Sequence, residues 1–159
     1  MKTVNQPGVA IVTGGGSGIG LAIAEKFVCS KIVTAIVGRD QQKLDQAKEK
    51  LGEHCIPFCF DLNDLAGIPK LVNQIIEKCG QIDTLVNNAG INMKKEFTEV
   101  TDEEFLRIMH TNVLSVFALS REVTKGMITR KKGWSKTHWP PAGTSAALRT
   151  EKTLAGSST

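Results

Sequence analysis

The sequence contains no tyrosine, and its two tryptophans are confined to positions 134 and 139. Without a phenol, no side chain in these 159 residues can serve as a tyrosine-type acid or base. Aromatic residues make up only 5% of the chain, and no Arg/Lys stripe interleaves with them. That excludes both the stacking platform and the basic track of a nucleic-acid-binding protein. The net charge of +4 is mild, and Arg130-Lys131-Lys132 reads as a solvated helix end favoured by the helix dipole. No apolar run reaches transmembrane length. The opening "MKTVNQPGVAIVTGG" has too short an apolar run, and no small-residue cleavage pattern, for a signal peptide. The expectation is a soluble, cytoplasmic protein with no membrane partner. Four cysteines are present. His54, Cys55 and Cys59 lie close together, but no second ligand pair exists to complete a tetrahedron, so no metal is expected. The cysteines read as buried, reduced thiols.

What is present is a regular alternation from Val9 to Lys132. "VAIVT" (Val9 to Thr13), "IVTAIV" (Ile32 to Val37), "IPFCF" (Ile56 to Phe60) and "IDTLVNN" (Ile82 to Asn88) are short apolar runs of the kind buried on both faces of a parallel sheet. Between them lie helical patterns: "IGLAIAEKFV", "QQKLDQAKEKL" behind a capping Asp40, and "IPKLVNQIIEKC". Thr101 and Glu104 form a capping-box signature that opens a long helix through about residue 130. It carries Phe105, Ile108, Val113, Val116, Phe117, Leu119 and Val123. The predicted fold class is α/β: a Rossmann-like, doubly wound parallel sheet of about four strands with right-handed crossovers.

Chemistry enters at "TGGGSGIG", Thr13 to Gly20, between the first strand and the first helix. Gly14 permits a tight turn, Gly18 lets backbone approach a pyrophosphate, and Gly20 allows close packing of helix on strand. The helix start, with Ser17 and Ile19, then offers free N–H groups and a positive dipole end to phosphates. The second strand ends "VGRD". An acid there would accept from both adenosine ribose hydroxyls and repel a 2′-phosphate. Gly38 stands in its place, followed by Arg39, whose guanidinium suits a 2′-phosphate. NADP(H) is therefore expected over NAD(H), with Asp40 occupied by helix capping.

Together with Asp61-Leu62 and "NNAG" at Asn87 to Gly90, these motifs resemble the short-chain dehydrogenase/reductase family over about residues 7 to 132. The resemblance implies that Asp61 bonds the adenine amino group and that Leu62 contributes backbone. It implies that Asn88, Ala89 and Gly90 line the ribose and nicotinamide side. Asn112, in "MHTNVLSVF", matches the asparagine of the family's catalytic tetrad, while His110 has no family role and reads as packing or surface. The family transfers hydride between a nicotinamide and a carbonyl or alcohol carbon, using a tyrosine whose pKa a lysine lowers and a serine that orients the substrate oxygen. It also implies self-association through the helix over 101–130.

Family spacing from Asn112 puts the serine, tyrosine and lysine near Pro140, Thr153 and Ser157, and none matches. From Gly133 to Thr159 there is no Val, Ile, Phe or Asp, and Pro140 and Pro141 sit side by side. The expected division is therefore a dinucleotide-binding portion over 1–132 and an irregular, disordered tail over 133–159 that forms no further strand. The fourth strand would then be an unpaired edge, which predicts poor solubility. The favoured reading is an NADP(H)-dependent oxidoreductase, inactive as written because its reading frame, or its correct coding, is lost after about Lys132. Another frame of the same DNA, read from codon 133, should then encode an apolar strand, a serine and Tyr-x-x-x-Lys. The alternatives are a non-catalytic dinucleotide-binding or interaction protein, and an enzyme with unorthodox catalytic groups.

Overall fold

A computed structural model describes residues 8–137 and 147–149, with side chains over 8–133. The chain runs β1 (Val9–Thr13), α1 (Gly18–Cys29), β2 (Val33–Gly38), α2 (Gln41–Leu51), β3 (Cys55–Cys59), α3 (Ile68–Cys79) and β4 (Thr84–Asn87). A 3₁₀ turn at Phe97–Glu99 precedes α4 (Asp102–Met109), a π-helical turn at His110–Leu114 and α5 (Ser115–Arg130). Strands β5 (Trp134–Thr137) and β6 (Ala147–Arg149) follow. The sheet order is β3-β2-β1-β4-β5-β6. The first five strands pair in parallel and β6 pairs antiparallel to β5.

The Rossmann-like α/β expectation holds. Alternate residues of the central strands feed two cores on opposite faces of the sheet. Ile11, Val37 and Leu85 pack with Leu71, Ile75, Leu119 and Val123 of α3 and α5. Val12, Ile36 and Val86 pack with Ala24, Leu44 and Ala47 of α1 and α2. Pro57 is tolerated in β3 because, among the described residues, that strand pairs only with β2 and lies at the sheet edge. Asp40 caps α2, its carboxylate accepting from Lys43 N at 3.1 Å. The Thr101–Glu104 capping box opens α4 in both directions, as the spacing predicted.

Two expectations are corrected. The ladder does not stop at β4, because Thr84 to Asn87 pair in register with Trp134 to Thr137. Main-chain hydrogen bonds need no apolar pattern, and the local backbone delivers the chain to the β4 edge. Lys131 ends α5 in a left-handed conformation, and Gly133 has φ +151, where a β-carbon would collide with the Met127 side chain. β4 is therefore not an unpaired edge. The second correction concerns the long helix, which is not a single α-helix. Its bonding pattern changes at His110–Leu114, and the Ser115 hydroxyl donates to the Thr111 carbonyl at 2.6 Å.

Candidate functional site

Chain order reverses between β1 and β4: the chain builds outward to β3, then crosses back over β1 to start β4 on the other side. A crevice opens at the carboxyl ends of the strands at such a switch point. The turn after β1 forms its floor. Gly14 has φ +67, beyond the ready reach of other residues. A β-carbon on Gly20 would collide with the Gly14 carbonyl oxygen and come 2.6 Å from Asn88 Nδ2. The expected roles of Gly14 and Gly20 in turn and packing are therefore visible as geometry. Gly18, at φ +54, faces open space. Ser17 caps α1 through extended backbone with no side-chain capping bond, and the first turn of α1 holds no acidic residue. Ile19 is exposed beside it. No carboxylate of this first turn neutralises the positive end of the helix.

One cleft gathers Gly14, Gly38, Arg39, Asp61, Leu62, Ala89 and Gly90, together with Asn63, Ile91 and Thr111. An adjoining recess shares Gly14, Gly38 and Arg39 and adds Gly16, Ser17 and Lys43. Most of the residues singled out from sequence therefore converge, although they come from four separate loops. The Arg39 guanidinium makes no hydrogen bond or ion pair among the described residues. Asp40 beside it is held below the usual carboxylate range, first by the Lys43 backbone N–H and also by the Lys43 ammonium 3.4 Å away.

Asn88 stands behind this cleft and is absent from its lining. Its N–H and that of Ala89 donate to Thr13 Oγ1 at 2.9 and 3.0 Å, and its side-chain amide donates to the Thr13 carbonyl at 3.1 Å. Asn112, on the π turn, accepts from Ile91 N at 2.9 Å and donates to Ile91 O at 2.8 Å. It fastens the loop that follows "NNAG".

The comparisons agree with this architecture. The family model for short chain dehydrogenases matches residues 8–134. The chain belongs to the short-chain dehydrogenase family. It is 39% identical over 124 residues to a 3alpha-hydroxysteroid dehydrogenase of Mediterraneibacter gnavus, covering 75% of this chain and 50% of that protein. It is 41% identical over 111 residues to an NADP-dependent (R)-specific alcohol dehydrogenase of Lentilactobacillus kefiri, covering 69% and 44%. A short-chain dehydrogenase structure from Streptomyces avermitilis superposes with a TM-score of 0.79 at 27% identity, covering 85% of this chain and 50% of that one. The chain spans about half the length of the curated relatives it matches.

The candidate site also involves residues that the sequence pattern did not flag. Thr13 is the hub of the Asn88–Ala89 turn, and its place just before the glycine run was the available signal. Lys43 reaches the Arg39 recess because it lies one turn into the helix that Asp40 caps. Asn63 follows Asp61-Leu62 directly and joins that loop to the π turn. The positions expected for serine, tyrosine and lysine, at 140, 153 and 157, lie outside the described residues.

The thiol expectation is corrected in part. Cys55 is buried and Cys79 half-buried, and burial pushes both thiols up. Cys29 and Cys59 are exposed, since each ends its element facing solvent. Among the described residues no three His, Cys, Asp or Glu side chains are grouped to hold a metal, and no helix is long and apolar enough to cross a membrane. Arg130 is not a solvated helix-end cation either, since it is half-buried and donates to the Ile82 carbonyl at 2.6 Å.

Proposed function

We propose that residues 8–133 form the dinucleotide-holding half of an oxidoreductase acting on a carbonyl or alcohol substrate, and that it prefers NADP(H) to NAD(H). The observation that carries the preference is the end of β2. Arg39 is an unengaged cation bordering the recess, Lys43 lies close by, and the acid that lines this recess, Asp40, is tied to α2 and to Lys43. A 2′-phosphate would gain a charge-assisted bond there.

In this reading the α1 amides behind Gly18, Ile19 and Gly20, with the Ser17 hydroxyl, receive the pyrophosphate. Asp61 and Leu62 receive the adenine, and Ala89 and Gly90 border the nicotinamide ribose. Asn88 supports them from behind and Asn112 fixes the loop on the nicotinamide side. The bound nicotinamide supplies the hydride-carrying carbon, while these side chains bind and orient it. With no tyrosine anywhere in the 159 residues, the chain as written binds NADPH without turning it over. A cytoplasmic setting and self-association complete the proposal. Phe105, Leu106 and Phe117 along α4 and α5 are each more than half exposed and offer the apolar surface for association.

The test is NADPH oxidation by the purified 159-residue protein against a panel of ketones, aldehydes and quinones, run beside NADPH binding. Binding with no oxidation above background is expected. Turnover would overturn the inactive reading, and absence of binding would overturn the cofactor reading.

A further inference from the structure

The π turn at His110–Leu114 carries three consecutive polar side chains, and all three engage the loops that form the cleft. Asn112 holds Ile91. Thr111 Oγ1 donates to Asn63 Oδ1 at 3.0 Å, and His110 Nδ1 lies 3.1 Å from the same oxygen. An α-helix advances about a quarter turn per residue or more, which scatters three successive side chains round its axis. Here the turn is π-helical, and its three side chains reach two different cleft loops, Asn63 and Ile91; such turns recur at functional sites. On the other partner, Asn63 N donates to Asp61 Oδ1 at 3.0 Å, so Asn63 orients the Asp61 carboxylate while its own side chain is gripped by the helix. Asp61, Leu62, Asn63 and Thr111 border one cleft.

We infer that Asn63, latched by His110 and Thr111, is a positioning residue for the adenine end of the cofactor. The latch holds the Asp61–Leu62 loop at the spacing the base requires, against the same π turn that holds the nicotinamide-side loop through Asn112. This rests on the dinucleotide-binding reading above. With the Asn63 carboxamide oxygen as the shared acceptor, the latch requires the His110 proton on Nδ1.

Two measurements test it on the 159-residue protein. Long-range ¹⁵N NMR should find Nδ1 of His110 protonated; a neutral ring protonated on Nε2 alone would overturn the latch. Calorimetry with adenosine 2′,5′-bisphosphate should show about a tenfold loss of affinity in Asn63→Leu, which cannot accept. Asn63→Asp keeps the acceptor and should recover most of it. Nicotinamide mononucleotide, which lacks the adenine end, should bind the parent and Asn63→Leu alike. Unchanged bisphosphate binding in Asn63→Leu, or a loss in Asn63→Asp as large as in Asn63→Leu, overturns the positioning role while leaving the cofactor reading intact. A parent that binds neither NADPH nor the bisphosphate overturns both.

Discussion

Gly20 on the first turn of α1 is packed directly onto the backbone of Gly14, with no room between them for a β-carbon. Gly20→Ala must therefore move backbone, and overpacking of that kind costs about 1–3 kcal/mol. Gly18→Ala meets no neighbour and bears only its left-handed φ of +54, worth about 1–2 kcal/mol. Urea denaturation should rank Gly20→Ala as the less stable. Equal midpoints would mean that α1 sits farther from β1 than described.

The Asn112 side chain satisfies both main-chain groups of Ile91. Asn112→Leu has similar size and can do neither, which leaves half-buried groups unpaired at about 1–3 kcal/mol. Hydrogen exchange at the Ile91 amide should accelerate well beyond that at β-strand amides such as Val12. Retained protection at Ile91 would show that the loop is held by something else.

Arg39 is expected to discriminate between cofactors. Arg39→Ala should weaken NADPH by about ten- to a hundredfold, the worth of a charge-assisted bond, and leave NADH within about threefold. An equal loss for both would assign Arg39 to stacking or to the fold. Raising salt should reduce the NADPH preference of the parent as well.

Acid should loosen two helix starts. Backbone N–H bonds, from Lys43 to Asp40 and from Thr101 to Glu104, lower both carboxylates below their ordinary values of 3.8 and 4.5. A depressed carboxylate contributes stability above its unfolded value, and this is lost as pH falls through the folded one. Asp40→Asn with Glu104→Gln keeps acceptors that do not titrate, so the double variant should lose less stability than the parent between about pH 5 and 3. Parallel pH profiles would show that these caps do not set the acid response.

The parts of the fold that were legible in the sequence are those whose physics leaves a compositional trace. Val9–Thr13 reads as a buried parallel strand because both of its faces are covered, so its residues are apolar up to the closing Thr13. α2 is bracketed by Asp40 and Gly52, a capping side chain and a positive-φ stop. β5 left no such trace, since Trp134–Thr137 joins the sheet through main-chain bonds to β4. The π turn left none either, since a change of hydrogen-bond phase requires no Gly or Pro. At the site, glycines and Arg39 could be read by spacing, whereas Lys43 and Asn63 matter only through where α2 and the π turn bring them.

Self-association along α4 and α5 has a direct check. Sedimentation of the parent should show concentration-dependent mass, and Phe105→Glu with Phe117→Glu should shift it to the monomer. A parent that remains monomeric at high concentration would rule the surface out.

We propose that this chain holds NADP(H) at the carboxyl ends of β1 to β4. Calorimetric titration of the 159-residue protein with NADPH and with NADH decides the point. Saturable NADPH binding near one site per chain is expected, at least about tenfold tighter than NADH. A flat NADPH titration of folded protein, or NADH binding as tightly, would contradict it.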